Sequence, residues 1–112
     1  MHGRCKEHNK TRVGPSNWYI IGQIKKHLDI PVIANGGIST FKDVEEAIKE
    51  AGVDGVMSSE SILENVALFS DKIYDMDDIA QEYLDLTEEF PGEVSHSAIK
   101  SHLFKFLYMG LQ

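Results

Sequence analysis

The stretch Ile30-Pro31-Val32-Ile33-Ala34-Asn35-Gly36-Gly37-Ile38 decides how the rest of this 112-residue chain is read. Residues 31–34 form a short apolar run rich in β-branched side chains, closed by Asn35-Gly36-Gly37. A continuous apolar run bounded by turn residues predicts a fully buried parallel strand. On its C-terminal side, Thr40 with Asp43 three residues later predicts a helix start resembling a capping box. Val44, Ala47, Ile48 and Ala51 then predict one apolar helix face, and Gly52 predicts its stop. Val53 to Met57 reads as a second short strand. Strand, helix and strand joined by a crossover of about a dozen residues imply two parallel neighbours.

Upstream of that unit, Trp18, Ile21, Ile24 and Leu28 recur at steps of three and four. This spacing predicts an amphipathic helix over 17–28, with Ser16 as its N-cap and Pro31 beyond its end. Residues 1–15 are polar and basic, contain Gly14-Pro15 and read as a loop. Downstream, Asp77 predicts the cap of a helix through Phe90, with Ile79, Ala80, Tyr83, Leu84 and Leu86 mostly inward. Pro91-Gly92 turns the chain, and Ser95 predicts the cap of a last helix carrying Ile99, Leu103, Phe106 and Leu107. The order predicts an α/β fold class: the C-terminal part of a TIM (β/α)8 barrel over residues 1–70, then an α-helical segment over 71–112. A whole barrel takes about 250 residues. The start of the chain reads as a cut, so a missing N-terminal barrel half is expected.

Composition narrows the setting. Apolar residues make up 42% of the chain, ordinary for a globular protein. No apolar run approaches the ~18 residues of a membrane span, so no membrane partner is expected. The first residues lack a signal core, and the single cysteine, Cys5, excludes an internal disulfide. Both features predict a cytoplasmic protein. The net charge of −7 is unevenly spread. Residues 1–30 hold six Lys/Arg against two Asp/Glu, residues 41–93 hold three against sixteen, and residues 94–112 hold two lysines and no acid. A polyanionic partner would therefore meet the two ends and avoid the middle.

In barrels, ligands bind at the C-terminal ends of strands, and phosphate commonly sits beyond the last two. Here those ends are Asn35-Gly36-Gly37-Ile38 and Met57-Ser58-Ser59-Glu60. Glycine lets a backbone approach an anion and aim N–H groups at it. Ser58 and Ser59 add hydroxyl donors before a short helix. His2, Cys5 and His8 stand at ligand-like spacing, but no second cysteine pair completes a zinc set, so no metal is expected. Arg4 and Lys6 would lower the pKa of Cys5, yet no Cys/His pairing accompanies it, and it reads as an incidental thiol. His96 and His102, six apart, do not share a helix face.

Four segments carry a resemblance: His2-Gly3-Arg4-Cys5-Lys6-Glu7, the Ile30–Ile38 stretch, Gly52-Val53-Asp54-Gly55-Val56-Met57-Ser58-Ser59-Glu60, and Asn65-Val66-Ala67-Leu68-Phe69. In this order and spacing the chain resembles the tRNA-dihydrouridine synthases. Its Ser-Ser-Glu after the last strand is most similar to the eukaryotic enzymes acting at positions 16 and 17 of tRNA. The likeness covers almost the whole chain, and the helical tail with His102-Leu103-Phe104-Lys105 adds to it. It implies reduction of the C5–C6 double bond of D-loop uridines in tRNA, with flavin mononucleotide (FMN) as cofactor and NADPH as reductant. It implies a barrel that holds the flavin and a helical domain, beginning near Asp77, that grips tRNA.

By motif position, His2 matches a flavin-contacting histidine, Asn35, Gly36 and Gly37 match the flavin-phosphate loop, and Ser59 and Glu60 match the pair after the last strand. Three departures stand out. Cys5 occupies a usual threonine position, Glu60 a position where many members carry a phosphate-binding arginine, and Val66 that of a usual proline. The family's catalytic cysteine and active-site lysine belong to the first half of the barrel, so this chain is expected to be inactive alone. Two other readings compete: a fragment of another FMN-dependent barrel oxidoreductase, and a remnant acting as an interaction module.

Overall fold

The computed structural model describes residues 1–3 and 16–108. The predicted loop over 4–15, with Cys5, His8 and Gly14-Pro15, lies outside the described residues. Two compact units, Met1–Ser61 and Ile62–Gln112, make up the chain. The architecture is α/β, with five helices and a small parallel sheet among the described residues.

In the first unit, α1 (Trp18–Lys25) precedes β1 (Ile33–Asn35), α2 (Phe41–Ala51) and β2 (Gly55–Met57). The two strands pair in parallel, Ile33 opposite Gly55 and Asn35 opposite Met57. Residues 1–3, read above as loop, lie on the other side of β1. His2 bridges Asn35 in parallel, Asn35 N donates to Met1 O at 2.8 Å, and Gly3 N donates to Asn35 O at 3.4 Å. Three residues are too few to show a period, which is why the sequence read them as loop.

The helices cover one face of this sheet. Ile21, Val32, Ala34, Ala51 and Val53 form the core, with Trp18 and Val56 packed against it. Where α1 meets α2, a Cβ on Gly22 would stand 3.0 Å from Ala51 Cα, so only glycine allows that approach. The opposite face is open: Ile33 is 40% and Met57 51% exposed. The strand predicted as fully buried is thus buried on one side only.

Local signals explain the helix ends. Thr40 and Asp43 form the predicted capping box, with Thr40 N donating to Asp43 Oδ2 at 2.7 Å and Asp43 N to Thr40 Oγ1 at 3.2 Å. Gly52 closes α2 in the left-handed conformation at φ +59°. The buried stripe of α2 is Val44, Ala47 and Ala51, and Ile48 lies beside it, 43% exposed. Helix α1 is capped by Asn17, not Ser16: Asn17 Oδ1 accepts from Ile20 N at 3.1 Å. It ends at Lys25, where His27 N→Ile24 O and Leu28 N→Lys25 O tighten the chain into i→i−3 bonds.

Asp54, just before β2, ties that end of the unit together. Lys25 Nζ sits 2.8 Å from Asp54 Oδ2, which also accepts from Val32 N at 2.7 Å. Lys25 foremost, and then the Val32 N–H, hold the Asp54 carboxyl below its ordinary range. A depressed carboxyl stabilises the fold above its unfolded pKa of about 4, and that contribution is lost as pH falls through the lower folded value. Asp54→Asn is therefore expected to lower the melting temperature by a constant amount at neutral pH. The gap to the unaltered chain should close below about pH 4; a gap unchanged down to acid pH would assign the loss to something other than this charge.

In the second unit, α4 (Met76–Glu89) and α5 (His96–Leu107) pack together, and a helical turn, α3 (Ser61–Glu64), leads into it. Leu68, Ile79, Ala80 and Phe106 are buried, and Tyr83 meets the Phe106 ring edge-on at 5.4 Å. Leu86, predicted inward, is exposed. Ser95 caps α5 as predicted, accepting from Ala98 N at 3.3 Å. For α4 the cap is Asp75, which accepts from Asp77 N at 2.8 Å; Asp77 lies inside the first turn. No helix of the described residues is long and apolar enough to cross a membrane.

Candidate functional site

Parallel pairing sets the C-terminal ends of β1 and β2 side by side, so the segments leaving them face one space. That space is a cleft of about 190 Å³. His2, Asn35, Gly36, Gly37, Ser59 and Glu60, the six candidate residues, all line it. Ser16, Ser39, Ser58 and Ser61 complete its polar wall.

The loop after β1 turns through two positive φ angles, +101° at Gly36 and +73° at Gly37. A Cβ at Gly36 would lie 2.7 Å from His2 Cε1 and 2.8 Å from Ser16 Oγ. His2 therefore lies directly against the loop. Gly3, for which the sequence shows no separate role, is buried, and a Cβ there would stand 2.7 Å from Asn17 O. With Asn17 N donating to Gly3 O at 2.9 Å, this contact holds the His2 segment to the start of α1.

Two side chains hold the loop carbonyls. Trp18 Nε1 donates to Gly36 O at 3.0 Å, and Ser16 Oγ donates to Asn35 O at 3.4 Å. Ser16 thus lends its hydroxyl to the loop and leaves the cap of α1 to Asn17. Ser58 Oγ donates to Ile38 O at 2.8 Å, so its proton faces the loop and is not offered to a ligand as expected. Ser61 Oγ donates to Ser39 Oγ at 3.1 Å. Helix α3 has only four residues, too few for a useful dipole. Among the described residues, the glycine backbone and the Ser59 hydroxyl are donors left for an anion, with the exposed Glu60 beside them. Among the described residues, no Lys or Arg lines the cleft.

Among the described residues, no group of three or more His, Cys, Asp or Glu could hold a metal ion. Arg4, Cys5 and His8 lie outside those residues. The second unit holds a wider cleft of about 340 Å³ between Val66, Tyr74, Ile79, Tyr83, Leu86 and Phe106. Its lining is mainly apolar and lacks the converging donors of the strand-end cleft. On α5, Lys100 and Lys105 are both exposed. Five residues apart, they stand roughly 140° apart around the axis and flank the helix rather than share a face.

A model of the dihydrouridine synthase family matches residues 1–110. The chain belongs to that family. Among curated dihydrouridine synthases, it is 40% identical over 112 residues to a tRNA-dihydrouridine(16/17) synthase-like protein of Mus musculus, covering 100% of the chain and 23% of the relative. It is 36% identical over 119 residues to the tRNA-dihydrouridine(16/17) synthase of Schizosaccharomyces pombe, covering 96% and 30%. A shorter match, 44% over 59 residues, links it to the tRNA-dihydrouridine(16) synthase of Yersinia pestis, covering 51% and 18%. The chain spans about a quarter of the length of that mouse relative.

Proposed function

We propose that this chain is the rear of a (β/α)8 barrel in a cytoplasmic tRNA-dihydrouridine synthase, with its strand-end cleft receiving the phosphate of FMN. The observation that carries the reading is the gathering of the six candidate residues around a positive-φ glycine loop at adjacent parallel strand ends. The open sheet face bearing Ile33 and Met57 is what the interior side of a barrel wall would present. Among the described residues, the backbone N–H groups and a hydroxyl are a donor set that suits a phosphate.

FMN held there would supply hydride chemistry toward C6 of a tRNA uridine, with NADPH as the reductant. The residues of this chain bind and orient. Gly36, Gly37 and Ser59 would hold the phosphate, and His2, which lies against the loop, would border the cofactor. Glu60 on the rim disfavours extra negative charge. The proton for C5 requires a positioned acid, and the family resemblance puts that cysteine in the first half of the barrel. The chain alone is accordingly inactive.

The test is a chimera in which this chain replaces the matching quarter of the mouse relative, expressed in cells lacking dihydrouridine at positions 16 and 17. Mass spectrometry of their tRNA should show dihydrouridine restored by the chimera and absent with the chain alone. A folded, flavin-loaded chimera that leaves those uridines intact would sink the proposal.

The second unit is read as part of the tRNA grip, through Lys100 and Lys105, while the acidic residues of α4 face away from the RNA. Lys100→Glu with Lys105→Glu in the chimera should weaken tRNA binding and reduce the salt slope by about 2. An unchanged slope would remove these lysines from the interface.

A further inference from the structure

Two peptide groups of the glycine loop are fixed by the start of α1, and the direction this gives their N–H bonds has a consequence for the cleft. All described peptides are trans, so in each the C=O and N–H point in opposite directions. The Gly36 carbonyl is held by the Trp18 indole N–H at 3.0 Å, which aims the Gly37 N–H away from the indole. The Asn35 carbonyl is held by Ser16 Oγ and Gly3 N, both at 3.4 Å, which aims the Gly36 N–H away from them. Gly36, Gly37 and Ser16 line the cleft, whereas Trp18 does not, so it is the Gly37 N–H that is aimed from the indole toward the cleft. The Trp18 ring also packs beneath the loop, its Cζ2 atom 3.5 Å from where a Gly37 Cβ would be.

We infer that Trp18 is a positioning residue for anion binding: its indole N–H, by holding the Gly36 carbonyl, turns the Gly37 N–H toward a phosphate in the cleft. This rests on the phosphate reading proposed above. The ring's other task, packing against the Ile21 core, is separable, because packing needs the aromatic surface and positioning needs only the N–H. The peptide from Ile38 to Ser39 is held differently: Ser58 fixes its carbonyl, and its N–H is taken by Asp43 Oδ2 at 3.0 Å. That peptide serves the helix cap and has no N–H to offer. The inference is therefore specific to Trp18 and Gly37.

The test uses the whole chain, labelled with 15N, titrated with inorganic phosphate and followed at the Gly36 and Gly37 amides. Two variants remove the donor, Trp18→Phe and replacement of Trp18 by benzothienylalanine, which keeps the fused ring but carries sulfur where the N–H was. Losing one oriented hydrogen bond should raise the phosphate Kd about three- to tenfold. The benzothienyl variant should lose only the small stability of one hydrogen bond and stay fully folded at the titration temperature. Its amide shifts outside the glycine loop should be unchanged, so that a weaker phosphate Kd is not the result of unfolding. Phosphate binding in either folded variant as tight as in the unaltered chain would overturn the role of Trp18 and leave the phosphate reading standing. If phosphate moves neither amide in the unaltered chain, the phosphate reading itself fails and the role of Trp18 fails with it.

Discussion

Alanine at Gly36 is expected to destabilise the chain by about 2–4 kcal/mol, well beyond alanine at Gly52, for which about 1–2 kcal/mol is expected. Both glycines sit at positive φ, +101° and +59°, so both substitutions strain the backbone. They differ in what the new methyl group meets. At Gly52 nothing lies within 4 Å, so conformational strain is the whole effect. At Gly36 the methyl would overlap the His2 imidazole at 2.7 Å and Ser16 Oγ at 2.8 Å, and one of the three must move. The backbone at this point is held by Trp18 and Ser16, so the imidazole is the group expected to leave. Its departure also loosens the parallel bridge between His2 and Asn35. Denaturant titrations of the two variants measure the difference, and a double-mutant cycle with His2→Ala apportions it. In the His2→Ala background the excess cost at Gly36 should shrink; equal costs at Gly36 and Gly52 would show that His2 does not rest on the loop in solution.

The predicted and observed features divide along a physical line. Where the determining interaction is local, sequence was enough: Thr40 and Asp43 cap each other three residues apart, Gly52 takes a conformation only glycine adopts cheaply, and Ser95 caps α5. That the segments after β1 and β2 share one cleft was also legible, because a parallel crossover puts successive strand ends together whatever the side chains. The place of His2, by contrast, came from the resemblance and not from any local pattern. Features decided by distant partners were not. Ser16 has the composition of a cap, but its hydroxyl is drawn to Asn35 O, nineteen residues away, and Asn17 takes its place. The same kind of partner redirects Ser58 to Ile38 O. Lys25 and Asp54 meet across the unit with no periodic signal to announce them. Ile24, Ile48 and Leu86 follow helical spacing yet stay exposed, because the neighbouring surface covers a narrower stripe than the apolar pattern offers.

Ile21→Ala is expected to remove about 2–5 kcal/mol of stability. Ile21 is wholly buried in the cluster with Val32, Ala34, Ala51 and Val53, so truncation leaves a cavity lined by Ala34 of β1, Ala51 of α2 and the residues just ahead of the two strands. Collapse into that cavity is limited, since α1 and α2 already touch at Gly22 and Ala51 and cannot approach further. Against a total stability of about 5–15 kcal/mol, the loss is a large share. Ile24, one turn along the same helix, has the same chemistry but is 39% exposed, and its alanine variant should cost about 1 kcal/mol or less. The comparison bears on the cleft as well as on the core. Helix α1 carries Trp18, whose indole holds Gly36 O, and starts at Asn17, whose N–H holds Gly3 O. If Ile21 anchors α1 to the sheet, its truncation should also speed hydrogen exchange at the Asn17 amide and the Trp18 indole, while Ile24→Ala leaves both unchanged. Equal costs for the two variants, with exchange unaltered in both, would mean that α1 is not held to the sheet by Ile21 and that the strand-end loop is supported from elsewhere.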